Sequence, residues 1–173
     1  MSAFARREQL VAVGRATFAA KGFDGTSVEE IAAQAKISKP VIYEHFGGKE
    51  GLYAVIVDRE VQALMNALEA ALDSHKRPRM ILEDSALALL SYIESHTDGF
   101  RILVRDAPQN STSGSYSSLL GDVAIKVEHL LAEQFSQAHM DPKWAPLYAQ
   151  MLVGLIAQVG QWWLDERRMS KEE

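Results

Sequence analysis

Two successive glycines, Gly47 and Gly48, divide the stretch SKPVIYEHFGGKEGLY at residues 38–53 into two helical halves. The first half is barely two turns long. Ser38 is placed to cap it, and Pro40 is tolerated because first-turn N–H groups have no intrahelical partner. Ile42 and Phe46 stand four apart and share a face with the apolar turn residue Ile37, so that face packs inward. Lys39, Pro40, Tyr43 and Glu44 then point outward. So short an element needs other helices against its inner face.

Helical spacing continues along the whole chain, with no convincing alternating strand. A first helix runs from about Ala5 to Lys21, with Leu10, Val13, Thr17 and Phe18 at helical intervals. Gly22 offers it a left-handed end, and Phe23 folds back on its last turn. Ser27 with Glu30, or Thr26 with Glu29, forms a capping box for a second helix whose inner face is Val28, Ile31, Ala32 and Ala35. A long helix runs from about Lys49 to Ser74, roughly 39 Å at 1.5 Å per residue. Its buried stripe is Tyr53, Ile56, Val57, Val61, Leu64, Leu68 and Leu72. HKRP breaks it, and a fifth helix spans about Pro78 to Ser95. Asp98 caps a short sixth helix carrying Phe100, Leu103 and Val104. APQNSTSGSYSS reads as loop or linker. A seventh helix runs from about Tyr116 to Ala138. The eighth starts either after Asp141, with Pro142 first, or nearer Pro146, and reaches about Arg168.

The expected fold class is all-α. A three-helix helix-turn-helix domain at residues 1–48 is joined by the long helix to a helical bundle at 49–173. The absence of cysteine excludes disulfides and thiolate metal sites. No apolar segment has signal-peptide length or the ~20 residues that span a bilayer, so a cytoplasmic protein is expected. The net charge of −5 looks wrong for a nucleic-acid binder, but residues 1–50 carry +1 and the remainder −6.

Positions 27–46 read helix, turn, helix, the layout whose second helix enters a major groove N-terminal end first. Lys39 can donate to guanine O6 and N7, and Pro40 and Val41 offer apolar contact to a thymine methyl. Tyr43 and His45 can donate to phosphate oxygens. Thr26 and Ser27 sit at a helix N-terminus, where free N–H groups and the dipole favour a phosphate. Lys49 opens the long helix and can do the same. The competing reading is a plain surface helix.

FAAKGFDGTSVEEIAAQAKISKPVIYEHFGGKEGLY closely resembles the DNA-binding domain of TetR-type transcriptional regulators. The resemblance covers residues 6 to 56 and rests on F..KGF, T-S-V…I-A, S-K-x-x-x-Y-x-H-F and K-E-x-L in that order. It implies a homodimer reading a near-palindromic double-stranded DNA operator, with contacts at Thr26, Ser27, Lys39, Pro40, Tyr43, His45 and Lys49. Lys36 stands where the family often has glycine. If left-handed there, it costs roughly 1 kcal/mol and brings an ammonium that can reach a phosphate.

The resemblance also implies a C-terminal pocket for an unknown small-molecule effector, apolar or amphipathic. Candidate lining residues are Met65, Tyr92, Phe100, Leu103, Tyr148, Met151, Gln158 and Trp162, each of which also reads as core filler. Gly154, Ala157 and Gly160 permit close helix approach, within one subunit or at a dimer interface. Trp162 and Trp163 are adjacent and cannot share a face. Ser170 and Glu173 make a capping box with no helix after it, so the chain is expected to lack a final helix. His129 and Glu133 do not complete a metal site. No phosphate loop or nucleophile set is visible, so no enzyme, metal or cofactor is expected. The expected function is a ligand-responsive regulator, a repressor released from its operator. The alternative is a helical protein–protein interaction module that has lost DNA reading.

Overall fold

The computed structural model describes residues 2–69, 71, 77–105, 116–166, 170 and 171. Among them the chain is helical without a strand. The elements are α1 (Ala3–Lys21), α2 (Val28–Gln34), α3 (Lys39–Phe46), α4 (Lys49–Glu69), α5 (Pro78–Ser95), α6 (Thr97–Arg105), α7 (Tyr116–Gln137) and α8 (Ala145–Glu166). A 3-10 turn at Pro142–Trp144 precedes α8.

The caps differ from expectation in detail. Ser27 Oγ accepts from the Glu30 N–H at 3.2 Å, so the box starting at Ser27 is the one used. Ser38 has extended backbone at the start of α3, but its side chain makes no capping hydrogen bond. Asp98 lies within the first turn of α6 rather than before it, and Thr97 Oγ1 donates back to the Ile93 carbonyl at 2.8 Å. Asp141 does cap, accepting from Lys143 N–H at 3.0 Å, but what it caps is the 3-10 turn. The expected helix beyond Glu69, apart from Ala71, lies outside the described residues. So do residues 107–115 of the low-complexity stretch and Glu173 of the final capping box.

The chain forms two compact units, Met1–Gln62 with Asp98–Ser115, and Ala63–Thr97 with Tyr116–Glu173. The first unit therefore takes in α4 as far as Gln62, and also α6. Its core gathers Leu10 and Phe18 from α1, Ile31 from α2, Ile42 from α3, Leu52 and Ile56 from α4, and Ile102 from α6. The Tyr53 ring meets Phe18 and Phe23 edge to face, with centroids 5.1 and 4.9 Å apart, while the rings of Phe18 and Phe23 lie near parallel. Each fully buried side chain of this size contributes roughly 1.5–3 kcal/mol relative to exposure.

Among the described residues of this unit one charge is buried. Glu60 of α4 is 1% exposed, and its Oε1 lies 2.7 Å from Arg15 Nε of α1. The pair is close in distance but lacks the straight N–H···O line of a hydrogen bond. Gly99 of α6 leaves the room this carboxylate occupies, since a Cβ there would stand 1.9 Å from Glu60 Oε2.

In the second unit, α5, α7, α8 and the end of α4 bury Leu64, Leu68, Leu89, Ile93, Val123, Val153 and Trp163. The small residues of α8 divide. Gly160 is buried, and a Cβ there would touch Leu89 and Ile93 of α5 at 3.0 Å. Gly154 is exposed with nothing near it. Close approach within one subunit is thus the role of Gly160. Trp163 packs inward at 6% exposure while Trp162 faces out at 49%.

Gly51 sets how closely α4 can follow α3. A Cβ at this position would lie 1.8 Å from the Phe46 carbonyl oxygen, so only glycine fits without a backbone shift. Gly51→Ala is expected to destabilise the protein by about 1–3 kcal/mol, read as a lower urea midpoint at unchanged m-value.

Candidate nucleic-acid interface

The turn between α2 and α3 is closed by backbone bonds. The Lys36 N–H reaches the Ala33 carbonyl at 3.1 Å, and the Ile37 N–H reaches the Ala32 carbonyl at 3.0 Å. This is a Schellman ending, which places its C′ residue in left-handed backbone. That residue is Lys36, with φ of 55°. A side chain there costs about 1 kcal/mol relative to glycine. Ile37 packs on the core and Lys36 is exposed.

At the other end of α3, Gly47 has left-handed backbone and donates its N–H to the Tyr43 carbonyl at 2.8 Å. Between these two turns Ile42 is completely buried, which fixes the rotation of the helix. Lys39, Pro40 and Glu44 are then exposed, and Tyr43 is 55% exposed. Val41 and Phe46 are partly buried against the core.

Several candidate contact residues are used inside the protein instead. Thr26 is 3% exposed and its hydroxyl donates to the Gly22 carbonyl at 2.8 Å, so it ties the α1–α2 turn rather than facing solvent. Lys49 donates to the Phe23 carbonyl at 3.1 Å, and its ammonium sits 4.1 Å from the centre of the Phe23 ring. Both contacts hold the ammonium against the α1–α2 corner. His45 is half-buried, and its backbone carbonyl is engaged from α1. Ser27 remains at the surface as the α2 cap.

Lys39 is not idle in the free protein. Its ammonium is paired with Glu29 of α2. Hydrogen bonding from that ammonium holds the Glu29 carboxyl below its ordinary value of 4.5. The first turns of α2 and α3 thus present an ion pair.

Arg7 has a structural role that the sequence pattern did not reveal. Its Nη1 donates to the His45 carbonyl at 2.6 Å, and its guanidinium lies 4.4 Å from the Phe46 ring centre. Gln9 does the same for α2, donating to the Ala35 carbonyl at 3.1 Å. Arg59 forks onto both oxygens of Glu8 at 2.8 Å, tying α4 to α1. A signal for Arg7 was present: α1 opens with arginines and no acid in its first turn, where the helix dipole disfavours cations.

The candidate pocket residues do not come together. Phe100 and Leu103 are buried in the first unit. Tyr92 is buried in the second, stacked 4.9 Å from His96. Met65 is half-buried, Gln158 is exposed, and Tyr148, Met151 and Trp162 are 44, 59 and 49% exposed. The cavity in the second unit is lined by others, Leu89, Val127, Leu131 and Ile156 among them. Among the described residues no cluster of three metal-ligating side chains occurs, and no helix is long and apolar enough to cross a membrane.

A family model described as bacterial regulatory proteins of the tetR family matches residues 10–56. A second, described as the tetracyclin repressor-like C-terminal domain, matches residues 67–173. The chain belongs to the TetR family. This TetR-family transcriptional regulator is 33% identical over 98 residues to the HTH-type transcriptional activator FasR of Mycolicibacterium smegmatis. That match covers 57% of this chain and 45% of FasR, so the likeness spans less than half of the curated relative. A TetR-like transcriptional regulator from Rhodococcus sp. RHA1 shares 29% identity at a TM-score of 0.81, over 96% of this chain and 87% of that one. AibR in complex with isovaleryl coenzyme A and operator DNA shares the fold at a TM-score of 0.77 and 17% identity, over 96% and 92%. The family and these relatives are DNA-binding regulators of transcription, not enzymes.

Arg7→Ala is expected to cost about 1–2 kcal/mol in urea unfolding, since a half-buried carbonyl loses a charged donor. The Arg59 hydrogen bond holds Glu8 below its ordinary 4.5. A carboxyl depressed by folding stabilises above its unfolded pKa and ceases to do so as pH falls through the folded one. Stability should therefore decline on acidification from about pH 5. The decline should be shallower in Glu8→Gln, read from thermal midpoints across that range.

Proposed function

We propose that this regulator reads a near-palindromic operator as a homodimer, that a ligand held in the second unit lowers operator affinity, and that its default output is repression. The observation that carries the reading is α3. A fully buried Ile42 turns Lys39, Pro40 and Tyr43 outward together. Residues 1–48 are the proposed reading domain. Lys39 and Pro40 meet base edges, while Ser27, Lys36 and Tyr43 meet phosphates. Thr26, Val41, His45 and Lys49 act from within, by holding the two short helices in place.

An outward stripe on α8 supports the homodimer. Leu147, Met151, Leu155, Val159 and Trp162 are 44–63% exposed and recur at helical spacing. An apolar patch of that extent suits a protein partner better than water. Two readers must lie about 34–36 Å apart to reach successive major grooves, so a small change in spacing weakens both together. In α4 one unbroken helix runs from the reading unit into the second unit. A ligand that favours one arrangement of that helix shifts the DNA equilibrium by its differential affinity. AibR, which shares the fold, is known in complex with isovaleryl coenzyme A and operator DNA, so the fold accommodates both a ligand and an operator. The name of FasR favours a second output, activation from the same bound state.

The test is binding to DNA from just upstream of the protein's own gene, at two salt concentrations. A steep fall of affinity with salt and a preference over random DNA are expected. Equal binding to both DNAs would sink the reading. Lys39→Ala should relax base preference by ~1–3 kcal/mol if the contact is bidentate. Glu29→Gln should instead raise affinity for random DNA severalfold, by releasing Lys39.

A further inference from the structure

The second unit contains a cavity of about 110 Å³ bounded by α4, α5, α7 and α8. Its described lining consists of leucine, isoleucine, valine and alanine with two polar side chains, Ser85 of α5 and Gln134 of α7. No aromatic ring and no charged group belongs to that lining. Ser85 is 7% exposed, and its Oγ has no hydrogen-bond partner. It does not bond back to the carbonyl four residues earlier, as a serine inside a helix commonly does. A buried hydroxyl left without a partner inside a protein calls for an explanation.

We infer that this cavity binds a short aliphatic chain carrying a neutral carbonyl group, whose oxygen accepts a hydrogen bond from Ser85. The inference rests on the reading above, that a ligand occupies the second unit. Three features define the class. A carboxylate is disfavoured because no cation stands in the described lining to offset its desolvation. A bicyclic aromatic such as indole exceeds a volume smaller than the ~150 Å³ that holds one benzene. Size sets the length: an apolar cavity of about 150 Å³ holds one benzene, so this smaller one takes a chain of roughly three to five carbons.

The test is isothermal titration of the full chain with straight-chain 2-ketones from propanone to octanone, with butanoate and indole as contrasts. Affinity should rise about fourfold per added methylene and level off near five carbons. Ser85→Ala should weaken every ketone about three- to tenfold while keeping that length dependence. Ala157→Leu, which fills the cavity from α8, should abolish binding. If that variant does not fold, the milder filling Val127→Leu should shorten the longest ketone accepted. A flat length series, butanoate or indole binding as well as the ketones, or an unchanged affinity in Ser85→Ala would each overturn the inference. Operator binding is measured in the same samples. An intact operator complex with no ketone binding overturns the cavity assignment alone. Ketone binding that leaves operator affinity unchanged keeps the assignment and overturns ligand control.

Discussion

A helix of eight residues leaves half of its backbone carbonyls without an intrahelical partner, and α3 solves this with Arg7. The contact from Arg7 to the His45 carbonyl and Phe46 ring reaches the end where those carbonyls face out. The same device recurs in the first unit. Gln9 closes the end of α2 at Ala35, and Lys49 reaches the Phe23 carbonyl just past α1. Arg105 of α6 approaches the Ala20 carbonyl at the end of α1, 3.3 Å away. Cations at helix C-termini are favoured by the dipole as well as by hydrogen bonding. Because isolated helices of this length are marginal in water, they depend on tertiary contacts, with these long-range donors adding to the apolar core.

This arrangement separates two kinds of residue that share one short sequence. Ile42, Val41, Thr26 and Lys49 fix where α3 lies, and they do so from buried or half-buried positions. Lys39, Pro40 and Tyr43 stand on the face so fixed. Buried Glu60 extends the first group into α4, since its carboxylate is held between Arg15 of α1 and the space left by Gly99 of α6. A buried charge with a partner contributes little net stability but is costly to orphan, so it favours one arrangement of these three helices over its neighbours.

Local chemistry was legible in the sequence; long-range geometry was not. Pro78 and the HKRP break mark α5, and its bounds match the expected Pro78–Ser95. Paired glycines mark the end of α3, and the spacing of Ile42 and Phe46 identifies its inner face. Thr26 and Lys49 stand near helix N-termini, where their types suit a phosphate. What turns them inward is loop closure onto the carbonyls of Gly22 and Phe23, which no spacing rule encodes. The cavity is hidden for a related reason. Residue type points to Tyr148, Met151 and Trp162 as pocket formers, yet α8 rotates them to its outer side. The hollow lies where the aliphatic stripes of four helices meet, and its position depends on helix rotations that periodicity leaves free.

The Glu29–Lys39 pair bears on how the protein finds its target. Contact with arbitrary DNA is governed almost entirely by phosphate neutralisation. On the proposed reading, a carboxylate carried beside the reading lysine quiets that contribution until a base edge replaces it. Dwell time on each wrong site shortens while the final complex keeps its lysine. Glu29 thereby trades strength of adhesion for speed of search.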